Sequence, residues 1–455
     1  MKVGIVTLPL HTNYGGILQA WALQTAIGRM GHEASHVFRH LLGPLVLHAG
    51  MTADEIAAFQ RHTARFVDRY VRCDETPVAE IAPDRYDALV VGSDQIWRNR
   101  YAEFFHIGIR NAFLDFAKGW SVKRWPRKGE LRAGLCVNGL FSMTDNYEGM
   151  EFSLGGDGYR PIVNCAMESE ARAISEIARL AGDAALSERY AAKAAALAQL
   201  IRTRLWNAER QFFTVLSPEE RLASVRELCG YAPWYFGLKL DASYDGVWRH
   251  LMREDGFLAP WGLTFPERTA LGFEISYEGH DCLWNGPSWP YATSLALTAL
   301  ANRLQAGEGV PGGLTASSFA FLLRQYAAAH VFVKPDGTEV PWIDENQNPF
   351  TGDWIARTKL IRGKSKIRER GKDYNHSTFC DLVIGGLCGF RPRRDGALAP
   401  KPLAPAEWDW WCLDGVRYHG KDVAILFDRD GKRYGKGTGL VVLKDNSVNP
   451  HRWRR

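Results

Sequence analysis

Apolar and polar positions change rhythm twice along the 455 residues. Over the first 122, short apolar runs alternate with helical spacings. Residues 3–8 read as a strand, Asn13-Tyr14-Gly15-Gly16 as a tight turn, and 17–30 as a helix with Ile17, Ala20, Trp21 and Ile27 on one face and Gly31 as its stop. "HEASHVF" predicts a second strand, residues 53–70 a helix, and "YDALVVGSDQIW" a buried strand running into a polar loop. Strand and helix alternating this way predict a doubly wound parallel sheet with ligand-binding loops at its strand ends. Gly15-Gly16 is the kind of turn that can hold phosphate at a helix start, but a plain turn accounts for it as well.

From about residue 123 the period becomes helical. Residues 164–181 place Met167, Ala171, Ile174, Ala178 and Ala181 on one face, and Gly182 stops the helix. Further helices are predicted over 187–206, 241–253, 288–304, 314–329 and 375–388, joined by loops rich in Trp, Gly and Pro. The last sixty residues return to alternation: "GVRYHGKDVAILFDRDGKRYGKGTGLVVL" reads as strand, Asp-Gly turn, strand. Three parts follow: 1–122, 123–392 and 393–455. The joint at 123–134 is basic, carries Pro126 and has few apolar residues.

Composition narrows the partners. Hydrophobic residues make up 46% and charged ones 24%, enough for large packed interiors, and a net charge of +5 is too balanced to imply nucleic acid. The chain holds 16 Trp, 16 Tyr and 22 Phe; such side chains are more often core residues, and their faces also suit stacking on sugar rings. Its eight cysteines form no CxxC pair and no metal-ligand spacing, so no metal or cofactor is expected and buried thiols in a reducing compartment are. The N-terminus has no cleavage-site pattern and no run approaches the ~18 apolar residues of a membrane helix, which predicts a cytoplasmic protein without a membrane partner.

Candidate chemistry sits in four loops. "WIDENQNPFTGDW", 342–354, sets Asp344 and Glu345 between Trp342 and Trp354, with Asn346 and Asn348 available to orient hydroxyls. "NYEGMEFSLGGDGYRP", 146–161, holds Glu148, Glu151 and Asp157 among glycines that let a loop approach a ligand, with Arg160 able to pair with a carboxylate or a hydroxyl. "CLWNGPSWPYATSLALTAL" offers Trp284 and Trp289 on a Gly-Pro turn, and "KDYNHS" offers Tyr374 and His376. Glycosidic hydrolysis needs one acid to protonate the leaving oxygen and one carboxylate to activate water or attack, from opposite sides of the sugar. Two acidic loops nearly two hundred residues apart meet that need. The basic run "RTKLIRGKSKIRERGK", 357–372, has no interleaved aromatics and is expected to be a solvated loop.

Two resemblances go further. "NYGGILQAWALQ", "VVGSDQIW" and "NAFLDFA" resemble the N-terminal part of polysaccharide pyruvyl transferases, which implies one Rossmann-like half of an enzyme that moves pyruvyl groups from phosphoenolpyruvate to glycans. From about Asn146 to the end, "GMEFSLGGDGYRPIVN", "GYAPWYF", "WNGPSWPYATSLALTALANRL", "DENQNPFTGDW" and "DYNHSTFCDLVIGGLCGFRP" resemble trehalase-like and mannosylglycerate-hydrolase-like glycoside hydrolases, relatives of processing α-glucosidase I. That resemblance implies a multidomain chain: a partial Rossmann-like α/β domain, then a partial (α/α)6 helical toroid without its early helices, then a C-terminal β segment. It implies Glu345 as catalytic base and Glu151 as acid, with Asp157 the alternative, an inverting reaction and an α-glucoside or α-mannoside substrate. Arg160, Trp284, Trp289, Trp342, Tyr374 and His376 would contact the sugar. A pyruvyl transferase, or a glycan-binding chain without turnover, are the competing expectations.

Overall fold

In this computed structural model the described residues are 1–6, 10, 14–37, 53–74, 85–91, 136–137, 139–307, 313–334, 336–364, 371–372, 378–393 and 395–445. They belong to two compact units, Met1–Leu131 and Arg132–Arg455. "NAFLDFA", the basic joint and the stretch holding Tyr374 and His376 lie outside the described residues.

The first unit contains β1 (Lys2–Val6), α1 (Tyr14–Arg29), β2 (Glu33–His36), α2 (Ala53–Tyr70) and β3 (Ala88–Val91). The strands pair in parallel in the order β2-β1-β3, with Val3 opposite both Ala34 and Ala88. Parallel neighbours cannot be joined by a tight turn, so a crossover is required, and α1 supplies it between β1 and β2. Its Ile27 packs with Val3, Ile5 and Ala34, while Ile17 and Ala20 pack with Val67 and Val71 of the second helical stretch.

The second unit is built on α3 (Pro161–Leu180), α4 (Ala184–Arg204), α5 (Pro290–Gln305), α6 (Ala316–Ala329) and the short α7 (Ile355–Ile361). Their ends obey ordinary capping rules. Pro161 and Pro290 open α3 and α5 where a missing N–H costs nothing. Asp183 caps α4 through Leu186 N–H at 2.9 Å, and Thr315 and Ser318 form a capping box on α6. Ile162, Cys165, Leu197, Ile201, Leu295, Leu300 and Phe319 are buried in one core. Within it Arg303 grips Asp245 through Nε–Oδ1 at 3.0 Å and Nη2–Oδ2 at 2.6 Å.

Three expectations are corrected. The stretch 241–253 is a 3-10 helix over Ala242–His250; Gly246 in its middle weakens any α-helical preference. The helix expected over 375–388 is described only from Phe379, and after Asp381 it widens into a π-helix, Leu382–Leu387. There Phe319 presses so closely that a Cβ on Gly386 would lie 2.5 Å from its ring. The C-terminal segment is not a two-stranded hairpin but three antiparallel strands, β4 (Trp410–Tyr418), β5 (Lys421–Asp428) and β6 (Gly439–Lys444). The tight turn is His419-Gly420, both at positive φ (46° and 78°), as a two-residue hairpin turn demands; Asp430-Gly431 falls in the longer β5–β6 loop. Trp411, Tyr418, Val423 and Ile425 pack this sheet on Cys388 and Phe390. Among the described residues no helix is long and apolar enough to cross a membrane.

Candidate active site

The turn 342–354 leaves a small hairpin, Val331–Val333 paired with Glu339–Pro341. Its amides satisfy backbone groups that a turn would otherwise strand. Gln347 Nε2 donates to Gly352 O (2.6 Å), Asn348 Oδ1 accepts from Phe350 N–H (2.9 Å), and Asn346 Nδ2 donates to Asp281 O (3.0 Å). Asn348 Nδ2 donates to Tyr277 Oη at 2.8 Å. The expectation that Asn346 and Asn348 orient sugar hydroxyls is therefore replaced by a structural role: their amide nitrogens hold neighbouring chain segments.

Both acids of the turn are buried. Asp344 is wholly inaccessible and Glu345 is 8% exposed. Asp344 Oδ2 accepts from Trp342 Nε1 (3.3 Å) and Arg357 Nε (3.4 Å). Burial pushes its carboxyl up to about 6, against the pull of the Arg357 charge. Glu345 Oε2 accepts from the Cys282 thiol at 2.8 Å, and its backbone N–H donates to Asp344 Oδ1 at 3.2 Å. Gly371, at φ 76°, lies against the pair; a Cβ there would strike Asp344 Oδ1 and stand 3.0 Å from Glu345 Cγ. Arg357 also lies 4.9 Å from the Trp342 ring centroid and Lys372 Nζ 5.6 Å from it, so cations occupy a ring expected to wall a sugar pocket.

Arg357 and Lys359 come from α7, at the start of the basic run. That part of the run is not a solvated loop: both side chains are buried, and Lys359 Nζ meets Asp281 Oδ1 at 2.5 Å and Gly279 O at 2.8 Å. Sequence reading missed these two cations, because nothing in a lysine- and arginine-rich run marks which members find buried acids.

The glycine-rich loop is organised from inside. Arg160 is fully buried: Nε pairs with Glu148, Nη1 donates to Ser153 Oγ (3.0 Å) and Gly156 O (2.5 Å), and Nη2 to Met150 Sδ (3.4 Å). Its expected contact with a sugar hydroxyl is thus taken by the loop itself. Glu148 is further engaged by Val163 N–H at 3.1 Å. The buried Glu227 carboxylate anchors the loop by accepting from Gly155 N–H at 2.9 Å; burial raises it and Arg160 opposes the rise. Asp157 is exposed and turns back to accept from Asp145 N–H at 2.9 Å. Glu151 is half-buried, and its carbonyl accepts from Trp284 N–H at 3.0 Å.

Trp284 and Trp289, expected as sugar platforms, instead stack on each other, with ring centroids 3.9 Å apart and planes 8° from parallel. They are 3% and 4% exposed, and Phe265 packs edge-on to Trp284 at 4.9 Å. These faces belong to the core. The backbone between them does something the sequence did not announce. Cys282 touches the Glu345 carboxylate, Trp284 N–H holds the Glu151 carbonyl, and Ser288 exchanges two 2.9 Å hydrogen bonds with Gln347. Cys282 and Trp284 are two residues apart, so their Cα atoms are separated by at most ~7 Å. One segment therefore binds both the loop of Glu151 and the turn of Glu345. Among the described residues no group of three or more His, Cys, Asp or Glu side chains could hold a metal ion.

Hydrolysis of a glycosidic bond takes two carboxyl groups flanking the bond, and here Glu151 and Glu345 stand on separate segments that 282–288 ties together. Residues 66–377 match the mannosylglycerate hydrolase MGH1-like glycoside hydrolase domain, and the chain belongs to that family. The match begins inside α2 of the first unit and continues through the turn of Glu345. A solved sialidase is similar over 67% of this chain at 37% identity with a TM-score of 0.61, and the chain covers 27% of that protein's length. The GH63 mannosylglycerate hydrolase from Thermus thermophilus, solved with glucose, shares 15% identity over 45% of this chain and 44% of its own, with a TM-score of 0.33. Neutral trehalase from Saccharomyces cerevisiae shares 13% identity over 69% of this chain and 58% of its own, also at 0.33.

Proposed function

We propose that the chain is an inverting glycoside hydrolase acting on an α-linked glucosyl- or mannosyl-type unit, with Glu151 as acid and Glu345 as base. Glu151 would give its proton to the leaving glycosidic oxygen while Glu345 takes one from water. The water oxygen bonds to the anomeric carbon as the carbon–oxygen bond to the leaving group breaks, and the configuration inverts. The observation that carries this reading is the 282–288 segment, whose Cys282 meets the Glu345 carboxylate while its Trp284 N–H holds the backbone carbonyl of Glu151. Glu148 is paired with Arg160, which leaves Glu151 as the proposed acid and Asp157 as its alternative. Trp342 keeps a place beside the sugar only at the part of its half-buried ring that Arg357 and Lys372 do not cover, and Tyr374 and His376 are proposed hydroxyl contacts. Family membership supports the carbohydrate substrate, and the mannosylglycerate hydrolase for which the family is named supports a mannosyl unit.

The test is hydrolysis of a panel of α-glucosides and α-mannosides, with the released anomer read by proton NMR. Glu151→Gln and Glu345→Gln should each lower kcat by about 10²-fold or more and leave sugar binding intact, as removal of a proton-transfer group does. Asp157→Asn should keep most activity. An active Glu345→Gln, or a dead Asp157→Asn beside an active Glu151→Gln, would refute the assignment. Release of the retained anomer would refute inversion.

A further inference from the structure

Glu345 has three side-chain torsions, and a base must present its carboxylate in one direction. Loose positioning is expensive: misplacing a reacting group by about 1 Å can cost ~10²-fold in rate. Three carboxylates crowd this end of the unit, and each receives a different donor. Arg357 goes to Asp344 and Lys359 to Asp281, while Glu345 Oε2 takes the neutral thiol of Cys282 at 2.8 Å. A thiol is a weak donor that keeps its own proton at pH values where a carboxylate has lost one, so it can orient the carboxylate without neutralising it.

The thiol is itself held firmly. Cys282 is 6% exposed, and its backbone N–H donates to His280 Nδ1 at 3.2 Å. Two residues on, Trp284 N–H is fixed to Glu151, and Ser288 is fixed to Gln347 in both directions. Gly371 closes on Glu345 Cγ from another segment, restricting where the chain of methylenes can go.

We propose that Cys282 is a positioning residue for the base, its S–H fixing the orientation of the Glu345 carboxylate. The proposal rests on the hydrolase reading above for its catalytic meaning, but the contact itself can be tested without turnover.

Two measurements on the full chain decide it. The infrared S–H stretching band of Cys282, assigned by its disappearance in Cys282→Ser, should move to higher frequency in Glu345→Gln, where the acceptor is no longer charged. In kinetics, Cys282→Ala should lower kcat by about 10- to 100-fold with KM changed less than about threefold, and Cys282→Ser, which restores a donor, should recover most of the loss. Cys412→Ala, which removes a thiol from the C-terminal sheet, is the control and should keep the wild-type rate. An unmoved band in Glu345→Gln overturns the contact. Wild-type kcat in Cys282→Ala, or a folded Cys282→Ser as slow as Cys282→Ala, overturns the positioning role and leaves Cys282 a packing residue. A wild-type chain that hydrolyses nothing overturns the hydrolase reading, and the catalytic role with it, while the infrared result still decides whether the thiol holds Glu345.

Discussion

Replacing Asp344 by Asn removes one titrating group from beside the proposed base and keeps its size. In the folded chain burial lifts this carboxyl to about 6, from 3.8 as its ordinary value. The folded state therefore binds the proton more tightly than the unfolded state, and protonation favours folding. Stability from this group is fully present below pH ~3.8 and is lost as pH rises through about 6. At ~1.4 kcal/mol for each pH unit between those values, the whole effect is about 3 kcal/mol. Roughly 2 kcal/mol of it falls between pH 4.5 and 7.5, because both states are partly titrated at the lower end. The asparagine chain lacks this dependence and retains an oxygen able to accept from Trp342 Nε1. Urea unfolding of both proteins across that range, followed by tryptophan fluorescence, should show Asp344→Asn gaining about 2 kcal/mol relative to wild type as the pH is raised. Parallel curves would refute the reasoning. They would mean that Arg357, 3.4 Å away, compensates the lost hydration in full and that Asp344 stays charged in the folded chain.

Two further outcomes follow from the same geometry. Gly371→Ala puts a methyl where Asp344 Oδ1 lies, in a backbone conformation that disfavours it; it should lower stability by about 1–3 kcal/mol and reduce kcat sharply, and wild-type values for both would count against the packing described. Trp289→Ala should lower stability by about 3–5 kcal/mol, as loss of a buried aromatic does. Its folded fraction should keep the wild-type affinity for sugar, whereas weakened binding at unchanged stability would return Trp289 to the sugar face.

Helices with a clean apolar period were legible in the sequence. Gly182 ends α3, the stretch expected over 187–206 is α4 with its start three residues earlier at Ala184, behind an Asp183 cap that the apolar period does not mark, and the stretch 314–329 is α6 after a two-residue trim at its start. Other features were not, for physical reasons. A tryptophan beside a Gly-Pro turn suits a sugar platform and a core equally well, and only the mutual stack of Trp284 and Trp289 separates the two. Arg160 looked available because its partner Glu148 lies twelve residues earlier, across a glycine-rich loop whose path no local pattern gives. The thiol on Glu345 belongs to a residue sixty-three positions away, and a single buried cysteine carries no signature. The third C-terminal strand was hidden because Asp-Gly is the stronger turn signal, yet His419-Gly420 makes the tight turn.

The 282–288 segment also bears on how the chain tolerates change in length. It closes a loop of 133 residues, from Glu151 to Trp284, and another of 59, from Ser288 to Gln347. For a flexible chain the entropy of closure grows only with the logarithm of length, about 0.6 kcal/mol for each doubling. The longer closure thus costs only about 0.7 kcal/mol more than the shorter. Extra chain inserted at exposed points between these anchors would weaken the closures little, whereas a single residue added within 282–288 would break the spacing that joins the two acidic segments. Length is cheap between the anchors and fixed at them.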